Sequence, residues 1–300
     1  MEAQKVSGCT LCPRECGVDR SANKGACGCG SVPYIARAAL HLWEEPFISG
    51  SRGSGAIFFC GCNMRCVFCQ NFDISRAETG ERVDAHRLAQ IMLLLQEQGA
   101  HNINLVTPAP HTDILIPAIT IARAQGLNIP TVYNTNAYEK AETLRRLDGL
   151  IDIYLPDLKY VSSIPAGRYS GTPDYFEYAA TAVLEMQRQV GALELDGEGM
   201  ARRGIVIRHL VLPCSLDETR GVLDFIRASL PIETYISLMC QYVPMHGAKP
   251  PIDRKLLPRE YDRAVEYCAS LGFENVLLQE QNSADTAFIP AFDGETPHKQ

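Results

Sequence analysis

The placement of twelve cysteines constrains this 300-residue chain more than any other feature. Five fall between Cys9 and Cys29 and four between Cys60 and Cys69, while Cys214, Cys240 and Cys268 stand alone. Residues 1–10 hold no apolar run of the kind that opens a secretory signal, so the expected compartment is the reducing cytoplasm, where structural disulfides rarely persist. Tight groups of thiols in that setting read as metal or iron–sulfur ligands. A net charge of −7 argues against a general nucleic-acid binder. The longest purely apolar run on a helical pattern, residues 91–95, is too short to span a membrane. With 46% apolar and 21% charged residues, the chain has the composition of a globular protein and not of a disordered one.

From about residue 85 onward, strand-like stretches alternate with helical ones. Leu88, Ile91, Met92 and Leu95 share one helix face, with Gly99 as a stop. Residues 102–107 read as a buried strand. Thr112 or Asp113 caps a helix bearing Leu115, Ala118, Ile119 and Ala122, which Gly126 ends. Further strands are expected over 131–134, 151–155, 205–212, 234–239 and 275–279. Helices are expected over 138–147, from Thr172 and Pro173 through Val190, from Ser215 to about 230, and from Pro258 onward. The second of these is expected to bury Phe176, Ala179, Ala180, Val183, Met186 and Val190. The last presents Tyr261, Ala264, Val265, Cys268 and Leu271 inward. Such alternation implies βαβ units around a parallel sheet, and six or seven units fit a closed or partly closed barrel. In a barrel the chemistry gathers at the carboxyl ends of the strands. The first strand is expected over 56–60, directly before the second cysteine group. A Ser- and Gly-rich stretch over 49–55 divides a Cys-rich leader over 1–50 from a barrel over 51–280, followed by a tail over 281–300.

The second group is the more specific. Cys62, Cys66 and Cys69 are spaced Cys-x3-Cys-x2-Cys, and three thiolates on one loop hold three irons of a cubane cluster while leaving the fourth iron open. A four-cysteine zinc site including Cys60 is the competing reading, but such sites usually pair two short hooks. With Phe68 in the aromatic position, the segment resembles the cluster motif of the radical S-adenosylmethionine (SAM) superfamily. The wording around it, with Asn63, Arg65, Gln70 and Asn71, is similar to the activating enzymes of pyruvate formate-lyase and other glycyl-radical enzymes. Residues 134–137, Asn-Thr-Asn-Ala, resemble the activases' Asp-Thr-Asn-Gly. Asp157 and Lys159 resemble their Asp-x-Lys motif, and Arg208 to Pro213 their Arg-x-x-x-x-Pro strand. The activases' Gly-Gly-Glu after the second strand has no counterpart in residues 106–111.

The resemblance implies an α/β fold with a partial (β/α)6 TIM-like barrel, and this chain's own cysteines add a Cys-rich N-terminal metal-binding segment. It implies an oxidoreductase that cleaves SAM reductively at a [4Fe–4S] cluster, and whose 5′-deoxyadenosyl radical takes hydrogen from a substrate. Cys62, Cys66 and Cys69 would be the cluster ligands. Phe68, Thr107, Asn134, Asn136, Asp157, Lys159 and Arg208 would contact SAM. An electron donor such as flavodoxin or ferredoxin is implied, and a glycyl-radical enzyme as substrate is the first expectation. A small molecule or peptide substrate is the second. A third, of another class, is a zinc or iron–sulfur protein with an electron-transfer or structural role. No nucleic-acid or membrane partner is expected.

In the leader, Cys9, Cys12, Cys16 and Cys27 are the chosen ligand set for zinc or a second iron–sulfur cluster, with Cys29 spare. Little apolar content surrounds them, so a metal would supply most of the local folding energy. His111, His209, Cys240, Gln241, Tyr242 and the segment around Trp43 are weaker candidates for the neighbourhood of the site.

Overall fold

The structure is a computed structural model and describes residues 8–245, 247–280 and 290–298. Its first regular element, β1 (Tyr34–His41), is followed by the short helix α1 (Pro46–Ser49) and by β2 (Ser54–Phe59). Then come α2 (Phe72–Ser75), β3 (Glu81–Arg82), α3 (Ala85–Glu97), β4 (Ile103–Val106), α4 (Thr112–Ala124) and β5 (Thr131–Thr135). After α5 (Ala141–Arg145) and β6 (Ile153–Pro156), two helices, α6 (Ser163–Ser170) and α7 (Tyr175–Val190), lead to β7 (Glu194–Leu195) and β8 (Ala201–Leu210). The described fold ends with α8 (Leu216–Ser229), β9 (Tyr235–Met239), α9 (Pro258–Ser270) and β10 (Val276–Leu278).

The strands form one sheet in the order β10-β9-β8-β6-β5-β4-β2-β1-β3, with β7 paired to β8. From β2 to β10 every neighbour along this path is parallel. Only β1, β3 and β7 run antiparallel to their partners. Among the described residues β3 and β10 remain edges, so the sheet curves into an open, partial barrel.

Strand alternation assigns the two faces. On β5, Tyr133 packs outward with Ile103, Leu105, Tyr154, Ile205 and Ile207 beneath the helices. Val132 points inward with Ile153, Leu155 and Val206. Both faces are buried, which is why these strands read as near-continuous apolar runs. The period of two then places Asn134 of β5 and Arg208 of β8 on the inner face. The floor of the barrel is closed by the leader, because Phe47 and Ile48 of α1 pack against Val132, Ile153, Leu155 and Val206. Burying two such side chains contributes about 1.5–3 kcal/mol each.

Three local expectations are corrected. The helix foreseen over 138–147 is reduced to α5, because the residues before it serve a turn. Tyr138 O accepts from Asn63 Nδ2 at 2.6 Å, and the Glu139 carboxylate accepts from Tyr133 Oη at 2.8 Å and from Thr135 Oγ1. The helix foreseen from Thr172 starts at Tyr175, and Phe176 and Ala180 are half-buried. The foreseen first strand gains an antiparallel neighbour from within the leader, as β1 pairs along the length of β2. The tail lies on that neighbour. Ala38 N donates to Glu295 O at 2.7 Å, Gly294 N donates to Ala36 O at 3.0 Å, and Arg37 pairs with Asp293 and Glu295.

Candidate functional site

A cavity of about 250 Å3 opens on the concave face. Cys62, Cys66, Phe68, Cys69, Thr107, Asn134, Asn136, Asp157, Lys159 and Arg208 all line it, and Gln241 and Tyr242 join them from the end of β9. Residues read separately along nearly 150 positions of sequence therefore share one surface at the strand ends, as a parallel barrel dictates.

The cysteine loop follows β2 directly. Cys62 and Cys69 are half-buried on the cavity wall. Burial, and then the neighbouring Cys66 thiol, push Cys62 up to about 11. Burial, then Cys66 and Cys62, push Cys69 up to about 12. The three thiols thus feel one another. A cluster held there would have to displace protons from Cys62 and Cys69, which would couple metal uptake to the loop's electrostatics. Donors toward sulfur are already set. Met64 N and Asn136 Nδ2 each lie 3.4 Å from Cys62 Sγ, and Ser170 Oγ is 3.0 Å from Cys66 Sγ. Among the described residues, no three His, Cys, Asp or Glu side chains surround a point as one metal ion requires. A cubane takes one thiolate per iron and makes no such demand. The donor set fits that group.

The polar side of the cavity is a partly buried network. Arg208 Nε donates to Asp157 Oδ1 at 3.0 Å, its Nη1 to Glu44 Oε2 at 3.1 Å, and its Nη2 to Asn134 Oδ1. Lys159 Nζ donates to Asp157 Oδ2 at 2.7 Å. Burial alone would lift the Asp157 carboxyl, but the Lys159 and Arg208 charges outweigh it and hold Asp157 below its usual range. Burial likewise opposes the Lys159 ammonium, and Asp157 reverses the balance and raises it. An ammonium and a guanidinium kept charged on the cavity wall suit a carboxylate ligand. Tyr175, which the sequence reading assigned only to a helix, ties two strand ends together. Its Oη lies 2.9 Å from Asn136 O and 2.6 Å from Asp157 O, and accepts from Lys159 N at 3.1 Å. Its place after a helix-start signal gave no hint of this.

Glu44 is the other residue that sequence reasoning missed. It comes from the leader segment around Trp43. Its Oε1 accepts from Asn104 Nδ2 at 2.9 Å and from Asn134 Nδ2 at 3.2 Å, while its Oε2 faces Arg208. Beside it, burial lifts the Glu45 carboxyl above its usual range despite Arg208. Glu45 Oε2 and Asn104 Oδ1 are buried without a partner.

The departures from the activase pattern have a backbone signature. Ala137 stands where the activases have Gly, and Thr107 stands in the region of their glycine pair. Both have φ of 60°. The chain keeps left-handed turns at these strand ends while filling them with residues that adopt them at a cost of roughly 1–2 kcal/mol.

The weaker candidates divide. His111 does not line the cavity, for its Nε2 is 2.9 Å from Cys60 O and its ring stacks on Phe59. His209 is buried behind the site, with Nδ1 2.7 Å from Leu158 O and Nε2 2.9 Å from Thr219 Oγ1. Cys240 and Cys268 are buried. Phe68 meets Tyr242 edge-on at 5.6 Å. Cys9, Cys12, Cys16 and Cys27 lie in the leader, outside the cavity lining.

Residues 56–186 match the family described as the Radical SAM superfamily. The chain is 33% identical over 270 residues to an uncharacterised protein of Methanocaldococcus jannaschii, across 86% of this chain and 73% of that one. Among solved structures it resembles Streptococcus suis SuiB bound to precursor peptide SuiA, with a TM-score of 0.50 and 15% identity over 73% of this chain. It spans about half of that protein's length, 46%. A domain of a pyruvate-formate lyase-activating enzyme from Bacteroides vulgatus matches with a TM-score of 0.41 and 13% identity, over 58% of this chain and 94% of the domain. No helix among the described residues is long and apolar enough to cross a membrane. With the cysteine motif at the end of β2, the family match over residues 56–186 and the 33% identical relative, the chain belongs to the radical SAM superfamily.

Proposed function

We propose that the cavity binds SAM against a [4Fe–4S] cluster held by Cys62, Cys66 and Cys69. When bound, that pair supplies a 5′-deoxyadenosyl radical that abstracts hydrogen from a substrate. The observation that carries the reading is the convergence of the three thiols and all seven proposed SAM contacts on one cavity. Lys159 and Arg208 face the SAM carboxylate, with Asp157 holding both in place. Asn134, Asn136 and Thr107 form the turn-borne polar wall, and Phe68 packs beside the adenine. The leader thiols Cys9, Cys12, Cys16 and Cys27 hold a second metal group. The enzyme works in the cytoplasm with a one-electron donor of the flavodoxin or ferredoxin class.

The preferred substrate is a glycine on a glycyl-radical enzyme, on the strength of the motif wording around Cys62. A small molecule or peptide is the second reading. It is favoured by the leader's share in the cavity, since Trp43 and Glu44 line it.

The test is 5′-deoxyadenosine formation after anaerobic reconstitution with iron and sulfide, using dithionite and SAM, with Cys66→Ala alongside. Nucleoside from wild type and none from the variant supports the reading. None from a wild-type protein whose cluster is intact and reducible overturns it.

A further inference from the structure

The leader cysteines meet one another and also meet the cluster loop. Cys16 Sγ and Cys27 Sγ lie 3.3 and 3.5 Å from where a methyl on Gly25 would sit. Cys16 and Cys27 therefore both adjoin Gly25, and Cys9 and Cys12 belong to the same short loop. Turns hold it, with Cys9 N bonded to Val18 O at 2.9 Å, Gly17 N to Cys9 O at 3.1 Å and Glu15 N to Cys12 O at 3.0 Å. No helix or strand precedes β1 among the described residues. Nothing in these turns alone fixes four thiols in place, so a metal group is the natural tie. A zinc ion draws its sulfurs to about 2.3 Å from one point. Among the described residues no three such donors are gathered that way. Separate donors, one per iron, are what a cluster takes.

The contact with the cluster loop is made by a ligand residue on each side. Cys62 N donates to Cys27 O at 3.1 Å. Arg65 clasps the junction, with Nη1 on Cys62 O at 2.7 Å and Nη2 on Ala26 O. Arg14 Nε adds a bond to Asn63 O at 2.8 Å. Cys29, outside the ligand set, donates its thiol to Cys60 O at 3.1 Å. Gly61 makes this approach possible, since a Cβ there would lie 1.8 Å from Cys29 Sγ and 3.0 Å from Cys27 O. The route from Cys27 Sγ to Cys62 Sγ is therefore two cysteine residues and a single hydrogen bond.

We propose that Cys9, Cys12, Cys16 and Cys27 hold a redox-active iron–sulfur cluster that relays electrons to the Cys62–Cys66–Cys69 site across the Cys27 O to Cys62 N hydrogen bond. The inference rests on the radical SAM reading of that site. One electron leaves the reduced leader cluster, which is thereby oxidised, and enters the oxidised cluster at Cys62. No bond forms or breaks and no proton moves. A one-electron protein donor of the flavodoxin or ferredoxin class then reduces the leader cluster again.

The experiment compares full-length wild type, the Cys62/Cys66/Cys69→Ala triple variant, Cys12→Ser and Cys29→Ser, all reconstituted anaerobically. The triple variant keeps every leader residue and is expected to bind about four irons, with a paramagnetic signal on reduction. Wild type and Cys29→Ser are expected to bind twice that. Reduced wild type is expected to show spin–spin broadening that the triple variant and Cys12→Ser both lack. Cys12→Ser is expected to slow flavodoxin-driven reduction of the remaining cluster about tenfold. Zinc or no metal in the folded triple variant overturns the proposal. So do two clusters without magnetic interaction and an unchanged reduction rate in Cys12→Ser. If the triple variant fails to fold, iron and zinc counts on wild type decide between the same outcomes. Absence of 5′-deoxyadenosine from dithionite-reduced wild type would instead sink the radical SAM reading, and leaves the leader's iron count to be judged separately.

Discussion

Glu44 Oε2 and Arg208 Nη1 meet at 3.1 Å inside the barrel, although 164 residues separate them in the chain. Arg208 in turn holds Asp157, so the leader's carboxylate orients the cation and carboxylate that face the cavity. Both members of the pair are almost enclosed, with side chains 12% exposed. Removing one partner of such a pair leaves an uncompensated charge and costs about 3–5 kcal/mol. Glu44→Ala is expected to lose that much stability by urea unfolding, and Glu44→Gln less. SAM affinity by equilibrium dialysis is expected to fall in both while cluster iron stays at the wild-type level. Unchanged affinity in Glu44→Gln would disconnect the leader from the binding network.

Tyr175 Oη bridges the ends of β5 and β6 through Asn136 O, Asp157 O and Lys159 N. Tyr175→Phe keeps the ring and strands these groups. A buried group left unsatisfied costs about 1–3 kcal/mol. The expected signature is a raised KM for SAM with a smaller change in kcat, because the tyrosine positions the wall and does not touch the reacting atoms.

Two buried groups set opposite limits on stability with pH. Burial raises Glu139 from 4.5 to about 7, so the folded state holds a proton that the unfolded state releases. Its contribution is complete below pH 4.5 and is lost as pH rises through about 7, amounting to roughly 3 kcal/mol. Burial lowers His209 from 6.5 to about 4, so its contribution is complete above pH 6.5 and is lost as pH falls toward 4, again roughly 3 kcal/mol. Urea midpoints across this range are expected to flatten on the alkaline side in Glu139→Gln and on the acid side in His209→Gln.

Deleting residues 1–50 is expected to give an aggregated or unfolded chain. The deletion removes β1 from the edge of β2, Phe47 and Ile48 from the floor, and Glu44 from Arg208. Near-ultraviolet circular dichroism and gel filtration check this. A folded, monomeric product would make the leader a separable unit.

Much of the site was legible because local rules place it. The Cys62–Cys69 spacing is read without any fold. The inward direction of Asn134 and Arg208 follows from strand period alone. What escaped was non-local. Glu44 looks like part of a solvated acidic pair until Asn104, Asn134 and Arg208 are brought around it. Tyr175 and Tyr138 look like helix residues because their hydroxyl and carbonyl partners lie on other elements. β1 was missed for the same reason, since its pairing with β2 shows only once the chain has turned at α1.

The leader closing the floor with α1 also bears on the order of assembly. Chains emerge from the ribosome amino end first, and elements fold as their partners become available. Cys9 to Cys27 close on themselves within a short span, so that loop is complete early. Glu44, Phe47 and Ile48 have no socket until Val206 and Arg208 of β8 have been made. The proposed SAM wall therefore cannot set before β8 has been made, and a ribosome stalled earlier would carry the cysteines of both groups without Arg208 to complete that wall.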